Sequence, residues 1–200
     1  MTGIRDTQHE LIQMLPGRKG HFRFESGHHS DLWLDLELLC LHPEPIQRFA
    51  EELSSRIAAY DPEGVCGALV EGAFVALLVA SHLAVPFFYA ARTEVVRSDW
   101  QFPHDYRIPG AQRSEVRGRR IAIVNDVISA GSAVGGTFAD LKAGGAKIVA
   151  IGCLLVLGSG ALQFASENEV PLERLAALPG TLWTPSECPL CARGVPISNE

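Results

Sequence analysis

Between Ile121 and Gly136 the chain reads IAIVNDVISAGSAVGG, and the residue types change abruptly within it. Four apolar residues, Ile121 to Val124, give way to an amide and a carboxylate, Asn125 and Asp126. Val127 and Ile128 follow, then the small residues Ser129, Ala130, Gly131, Ser132 and Ala133, two of them with hydroxyls. In an open parallel sheet, ligands collect beyond the carboxyl ends of the strands. A strand ending here, with a helix beginning after the loop, aims backbone N–H groups and the helix's positive end at one spot. Small side chains let a phosphate approach that backbone closely. Asp126 repels a phosphate but suits the hydroxyls of a sugar, or a metal-bound water, on the far side of the same ligand. The chemistry these residues favour is capture of a sugar phosphate. A plainer reading competes with it: Asp126 caps the helix and the small residues only make a tight turn.

Such a loop needs a strand before it and a helix after it. RIAIVN reads as the strand, AVGGTFADLKAGG as the helix, and AKIVAIGCLLVL as the next strand. That succession implies a right-handed crossover and a parallel sheet. Upstream, Ile46, Phe49, Ala50, Leu53 and Ile57 fall on one helical face, with Glu51, Glu52 and Arg56 outside it. GVCGALV then predicts a strand, FVALLVASHLA a helix and VPFFYAA a strand. Near the start, ELIQML is a short amphipathic segment, PGRKG a turn, and HFRFES and HHSDLWLDLELL alternate as strands do. From Arg92 to Arg120 the chain is polar and aromatic without a clean period, which predicts a long functional loop. Beyond Gly158 come a polar segment, a short strand-like GTLWT and an irregular tail. The sum is one α/β domain, a parallel sheet flanked by helices, without internal repeats.

With 200 residues, 47% hydrophobic and 20% charged, the chain reads as globular. A net charge of −6 argues against nucleic acid as a partner, since phosphate-binding surfaces are usually positive. Five cysteines, an odd number scattered through apolar segments, suit a reducing cytoplasm better than a disulfide framework. No basic-then-apolar leader is visible, so no secretory signal is expected. The apolar run Ala68 to Val85 is interrupted by Glu71, Gly72 and His82 and ended by Pro86. It therefore predicts a buried strand and helix instead of a membrane span, and no membrane partner.

IAIVNDVISAGSAV resembles the phosphoribosyl-diphosphate motif of type I phosphoribosyltransferases, and the orotate branch is the nearest. GHFRFESGHHSDLWL is similar to that branch's N-terminal segment, and TPSECPLCARGVP to the tail of many bacterial members. The resemblance implies a single phosphoribosyltransferase-like domain. Its core is residues 41–157, and hood segments 1–40 and 158–200 cover it. It also implies transfer of phosphoribosyl from phosphoribosyl diphosphate to a pyrimidine-type base, with Mg²⁺ carried by the cosubstrate, in a homodimer. Residue by residue, Asp126 and Asn125 take the places that hold ribose, and Val127 to Ala133 form the phosphate loop. Arg92 meets the diphosphate, and Asp126 and Arg92 carry catalysis. Ser26, Gly27, Trp33 and Ser129 surround the base, with Trp33 stacking on it.

The chain departs from the family pattern at several points. Asn125 replaces the first of two acids, removing a charge-assisted contact worth roughly 1.5–3 kcal/mol. Val75 and Ala76 stand where the diphosphate loop has two glycines, and Glu71 brings a carboxylate there. Thr93 and Val96 replace loop lysines, leaving Arg97, His104, Arg107 and Arg113 as substitutes. Leu157 and Gly158 occupy the place of an Asp-Arg pair that meets orotate, and Glu25 that of a lysine. These departures support an alternative: a degenerate member that binds a ribose phosphate without turnover.

Cys188 and Cys191 form one Cys-x-x-Cys pair. Zinc needs four ligands. With no second pair, and with Cys153 and the histidines far away in sequence, a structural turn is favoured over metal, unless zinc is shared across a dimer. The remaining cysteines, Cys40, Cys66 and Cys153, read as core. His28 and His29 read as shaping a loop against the site.

Overall fold

The computed structural model describes residues 3–24, 26–96 and 104–198; side chains of residues 3–6, 94–96 and 104 are outside the description. Glu25 and Arg97, singled out above, lie outside the described residues, as does the side chain of His104. The main sheet has six strands in the order β5-β4-β3-β6-β7-β8. These are β3 (Gly64–Ala68), β4 (Phe87–Val96), β5 (His104–Arg107), β6 (Arg120–Ile128), β7 (Lys147–Leu157) and β8 (Leu172–Leu178). All neighbours are parallel except β4 and β5. The central strands β3, β6 and β7 are apolar along most of their length, as burial on both faces demands.

Helices α2 (Pro43–Ile57) and α3 (Glu71–Leu83) cover one face. With them, α1 (Gly3–Met14) contributes Leu11 to a core of Phe49, Leu53, Val75, Val124 and Leu154. On α2 the predicted apolar stripe is the buried one. The other face lies under α4 (Gly110–Val116), α5 (Ser132–Ala143) and α6 (Gly160–Glu167), around Ile121, Ile123, Phe138 and Val156. The apolar run from Ala68 to Val85 is thus split between β3 and the 13-residue α3. Among the described residues, no helix is long and apolar enough to cross a membrane.

A separate three-stranded sheet, β1 (Gly17–Arg23), β2 (His29–Leu34) and β9 (Leu182–Trp183), forms the hood. Here PGRKG is not a turn: Gly17, Arg18 and Lys19 pair with Leu34, Trp33 and Leu32. Ion pairs of Arg18 with Asp35 and Lys19 with Asp31 hold that register. After β9, the tail runs through the short helix α7 (Pro189–Ala192) and returns to β1, where Ser198 N–H donates to the His21 carbonyl at 2.7 Å. Two further expectations are corrected. Among the described residues after Arg92, β5, α4 and the end of β4 are regular. The segment after Gly158 supplies β8 to the main sheet, so the C-terminal part of the hood begins later than residue 158. Short apolar runs flanked by charge conceal such edge elements, because pairing, not pattern, makes them strands.

Candidate functional site

β6 does not stop where the apolar run stops. It continues through Asn125 and Asp126 to Ile128, pairing with Cys153, Leu155 and Val156 of β7. Both polar residues are therefore part of the sheet, only 7% and 4% exposed. Asn125 Nδ2 donates to the Val127 carbonyl at 3.1 Å. Its side chain packs on Gly72 at the start of α3, where any Cβ would fall 1.8 Å from Oδ1. A buried amide needs a partner inside the protein, and the Val127 carbonyl supplies one here. Burial pushes the Asp126 carboxyl up to about 7; backbone hydrogen bonds at Val127 and Asp126 oppose this, and the Glu71 charge adds to it.

Asp126 does not cap α5 either. The N-cap is Gly131, buried at φ +86°, a left-handed conformation that glycine adopts freely. The hydrogen-bonded ladder opens with Gly135 N–H donating to the Gly131 carbonyl at 2.8 Å. The N–H groups of Ser132, Ala133 and Val134 therefore precede the ladder, at the positive end of the helix. The bend is tight, as the plainer reading required, but its amides are not consumed by an Asp126 cap.

Ser129 and Ser132 border a cleft of about 420 Å³. Ser26, Phe24 and Trp33 of the hood form the opposite wall, with Trp33 packed on Phe22 and Phe24 at 5.7 and 5.6 Å between ring centroids. Val127 and Leu157 line its inner side, and Glu37 and Glu71 bring two carboxylates to it. Sequence reading missed Glu37, Phe24 and Leu36, since they lie just after β1 and in the short helical turn after β2, where no period marks which residues look inward. Of the predicted residues, the fold gathers Ser26, Trp33, Val127, Ser129 and Ser132 here. Asn125, Asp126, Ile128, Gly131 and Ala133 support the wall from behind or beside it, and Ala130 borders a neighbouring cavity with Ser26 and His28. Gly27 is at the hood's turn with φ +79°, and Arg92 is exposed on β4 across from Tyr106; neither lines the cleft.

Two expectations about the anion-binding parts are corrected. Val75 and Ala76 are fully buried in α3, not in a loop, because the helix already starts at Glu71. Arg107 and Arg113 do not substitute for loop lysines. Asp140, buried on α5, accepts from Arg113 Nη2 at 2.6 and 2.7 Å, from Arg107 Nη1 at 3.1 Å and from Ile108 N–H at 2.8 Å. A buried carboxylate demands such partners. Leu157, as expected, brings no guanidinium to the end of β7.

A second constellation lies in the hood. His21, His29, Cys188 and Cys191 bring one ligating atom each to within 4.8 Å of one another. The distance along the chain that argued against a metal at Cys188 and Cys191 is closed by the hairpin and the returning tail. Burial, then the charges of His21, Arg23 and His28, push His29 below its ordinary range.

No family model matches the chain. The orotate phosphoribosyltransferase of Thermotoga petrophila is 30% identical over 185 residues, covering 90% of this chain and 89% of that one. In three dimensions the chain is similar to orotate phosphoribosyltransferase from Aeropyrum pernix (TM-score 0.65, 20% identity, 86% of this chain and 93% of that one). It is also similar to adenine phosphoribosyltransferase from Thermoanaerobacter pseudethanolicus (TM-score 0.66, 12% identity, 85% and 99%). With a six-stranded sheet, a glycine-capped loop after β6 and a hood over the cleft, this chain belongs to the orotate phosphoribosyltransferase family.

Proposed function

We propose that the protein transfers a phosphoribosyl group from phosphoribosyl diphosphate to an orotate-type pyrimidine base, releasing diphosphate. The observation that carries this reading is the cleft itself, with phosphate-loop hydroxyls of Ser129 and Ser132 on one side and Trp33 and Ser26 on the other. The amides of Ser132, Ala133 and Val134 and the two hydroxyls hold the 5-phosphate at the positive end of α5. Asp126 sits behind the ribose subsite, and its ionised form stabilises positive charge developing on the sugar. Trp33 covers the flat base, and Ser26 and Ser129 offer it hydrogen bonds. Catalysis of this kind is mainly positioning and electrostatics.

The carboxylates of Glu37 and Glu71 suit a hard cation with oxygen ligands. Mg²⁺ between Glu71 and the diphosphate would remove their mutual repulsion. The reading includes a cytoplasmic homodimer in which Arg92 contributes to a diphosphate site. In support, Val70, Phe74 and Leu77 recur along one face of α3 and its N-cap yet are 54%, 46% and 48% exposed. All five cysteines are free thiols, as a reducing compartment requires.

The carboxylates in the cleft also favour a second reading, retention of a ribose-phosphate ligand without turnover. One experiment separates the two: diphosphate release measured with phosphoribosyl diphosphate, Mg²⁺ and a panel of bases, alongside calorimetry with ribose 5-phosphate. Release with orotate or a related pyrimidine supports the enzyme. Heat without release supports the binding protein, and neither signal overturns both.

A further inference from the structure

We propose that His21, His29, Cys188 and Cys191 bind a tetrahedral zinc ion that locks the C-terminal tail onto the hood. His21 Nε2 lies 2.9 Å from His29 Nδ1, 3.5 Å from Cys188 Sγ and 3.6 Å from Cys191 Sγ, and Cys191 Sγ lies 3.2 Å from His29 Nδ1. Zn–N bonds of ~2.0–2.1 Å and Zn–S bonds of ~2.3 Å place tetrahedral ligand atoms ~3.3–3.8 Å apart. The cluster therefore needs movements of only a few tenths of an ångström around most of its edges to accept the ion.

The protonation pattern is set for the task. His21 Nδ1 faces the Val195 carbonyl at 2.7 Å, an oxygen that only accepts, so the proton sits on Nδ1 and Nε2 turns its lone pair to the cluster. An imidazole oriented by a backbone carbonyl is the usual support for a ligating histidine. Three of the four residues are buried: His21 at 1%, Cys188 at 2% and His29 at 5% exposed. Two imidazoles and two thiols meeting at one largely buried spot have little else to do for stability, since sulfur is a poor hydrogen-bond partner. Two thiolates and a divalent cation sum to zero charge, which lowers the cost of burying them. The softness of the thiolates selects zinc over magnesium or calcium, so this site is distinct from any cation carried with a phosphate.

The ligands come from the β1–β2 hairpin and from the residues around α7, and hydrogen bonds of His21 with Val195 and Ser198 already tie that tail to the hairpin. The ion would make them one unit. Its two histidines also bracket the loop that carries Phe24 and Ser26 into the cleft.

The test uses the full chain, purified under reducing conditions. Elemental analysis is expected to find one zinc per chain. After stripping, titration with Co²⁺ alone should give the visible bands of a tetrahedral thiolate site, saturating at one equivalent and displaced by Zn²⁺. Thermal unfolding should shift downward on stripping and recover with Zn²⁺ but not Mg²⁺. Because Cys191 is exposed, Cys191→Ser should fold, lose the thiolate spectrum of the parent and bind Zn²⁺ at least 100-fold more weakly. Cys40→Ser should leave the spectrum unchanged. Reduced protein that takes up no cobalt, or a parent spectrum that survives Cys191→Ser, overturns the proposal.

Discussion

Ser129 and Ser132 are three residues apart in the chain and share one cleft. His21 and Cys191, with ligating atoms 3.6 Å apart, are separated by 170 residues. The first pair is delivered by a strand, a bend and a helix, so local chemistry dictates its geometry. The second is assembled by a hairpin near one end of the chain and a tail near the other. The difference teaches where each part is vulnerable. The phosphate side of the cleft depends on the backbone conformation of a few adjacent residues, whereas the cluster depends on long-range closure and on side chains that are chemically interchangeable with core until they meet.

The sharpest way to break this contrast is Gly131→Val. A β-branched residue resists φ +86° and forces the bend out of the conformation that presents its amides. Diphosphate release should fall on the order of 10³-fold, while the zinc content stays at one per chain. Equal loss of both would show that the two regions are not independent.

A smaller effect, on stability, is expected from Asp140→Ala. It strips partners from Arg107, Arg113 and the Ile108 N–H, at a cost of about 3 kcal/mol. Urea unfolding should report it, with the hood's cobalt spectrum unchanged in the folded protein.

Asp126→Asn offers a pH-graded test of the cleft's inner wall. The folded protein keeps the Asp126 proton up to about pH 7, whereas the unfolded chain releases it near the ordinary 3.8. Between those values the folded state binds the extra proton, so this group's contribution to stability declines as pH rises, and the full penalty stands above 7. The variant removes that slope. Its stability gain over the parent should grow from pH 4 to 7 and then level off in thermal unfolding, with turnover impaired at every pH. A gain independent of pH would show that the carboxyl is not held protonated.

The mildest change joins the two regions. Trp33 lies on β2, the strand that begins at His29, and it lines the cleft. Trp33→Ala should raise KM for the base roughly 10-fold through lost stacking and leave KM for phosphoribosyl diphosphate nearly unchanged. A matching rise for both substrates would place Trp33 in general hood stability instead.

The comparison also accounts for what could be read in advance. Strand-helix-strand spacing around IAIVNDVISAGSAV revealed the crossover and the bend because hydrophobic period and small residues are local signals. The helical stripe from Ile46 to Ile57 was legible for the same reason. Asn125 was misplaced because strand ends are set by pairing with β7, which the apolar run does not report. Arg107 and Arg113 looked available to a diphosphate because their partner, Asp140, reads in the sequence as an ordinary polar position on a helix.

By itself the sequence determined a parallel α/β sheet, a bend of small residues after its central strand, and an aromatic hood residue at Trp33, because period, turn chemistry and residue size act over a few neighbours. Only the tertiary structure decided that Glu37 and Glu71 share the cleft, that Asn125 turns inward, and that two histidines and two cysteines converge. Those outcomes depend on which distant segments pack together, and side chains acquire such neighbours only when the whole chain has closed around its core.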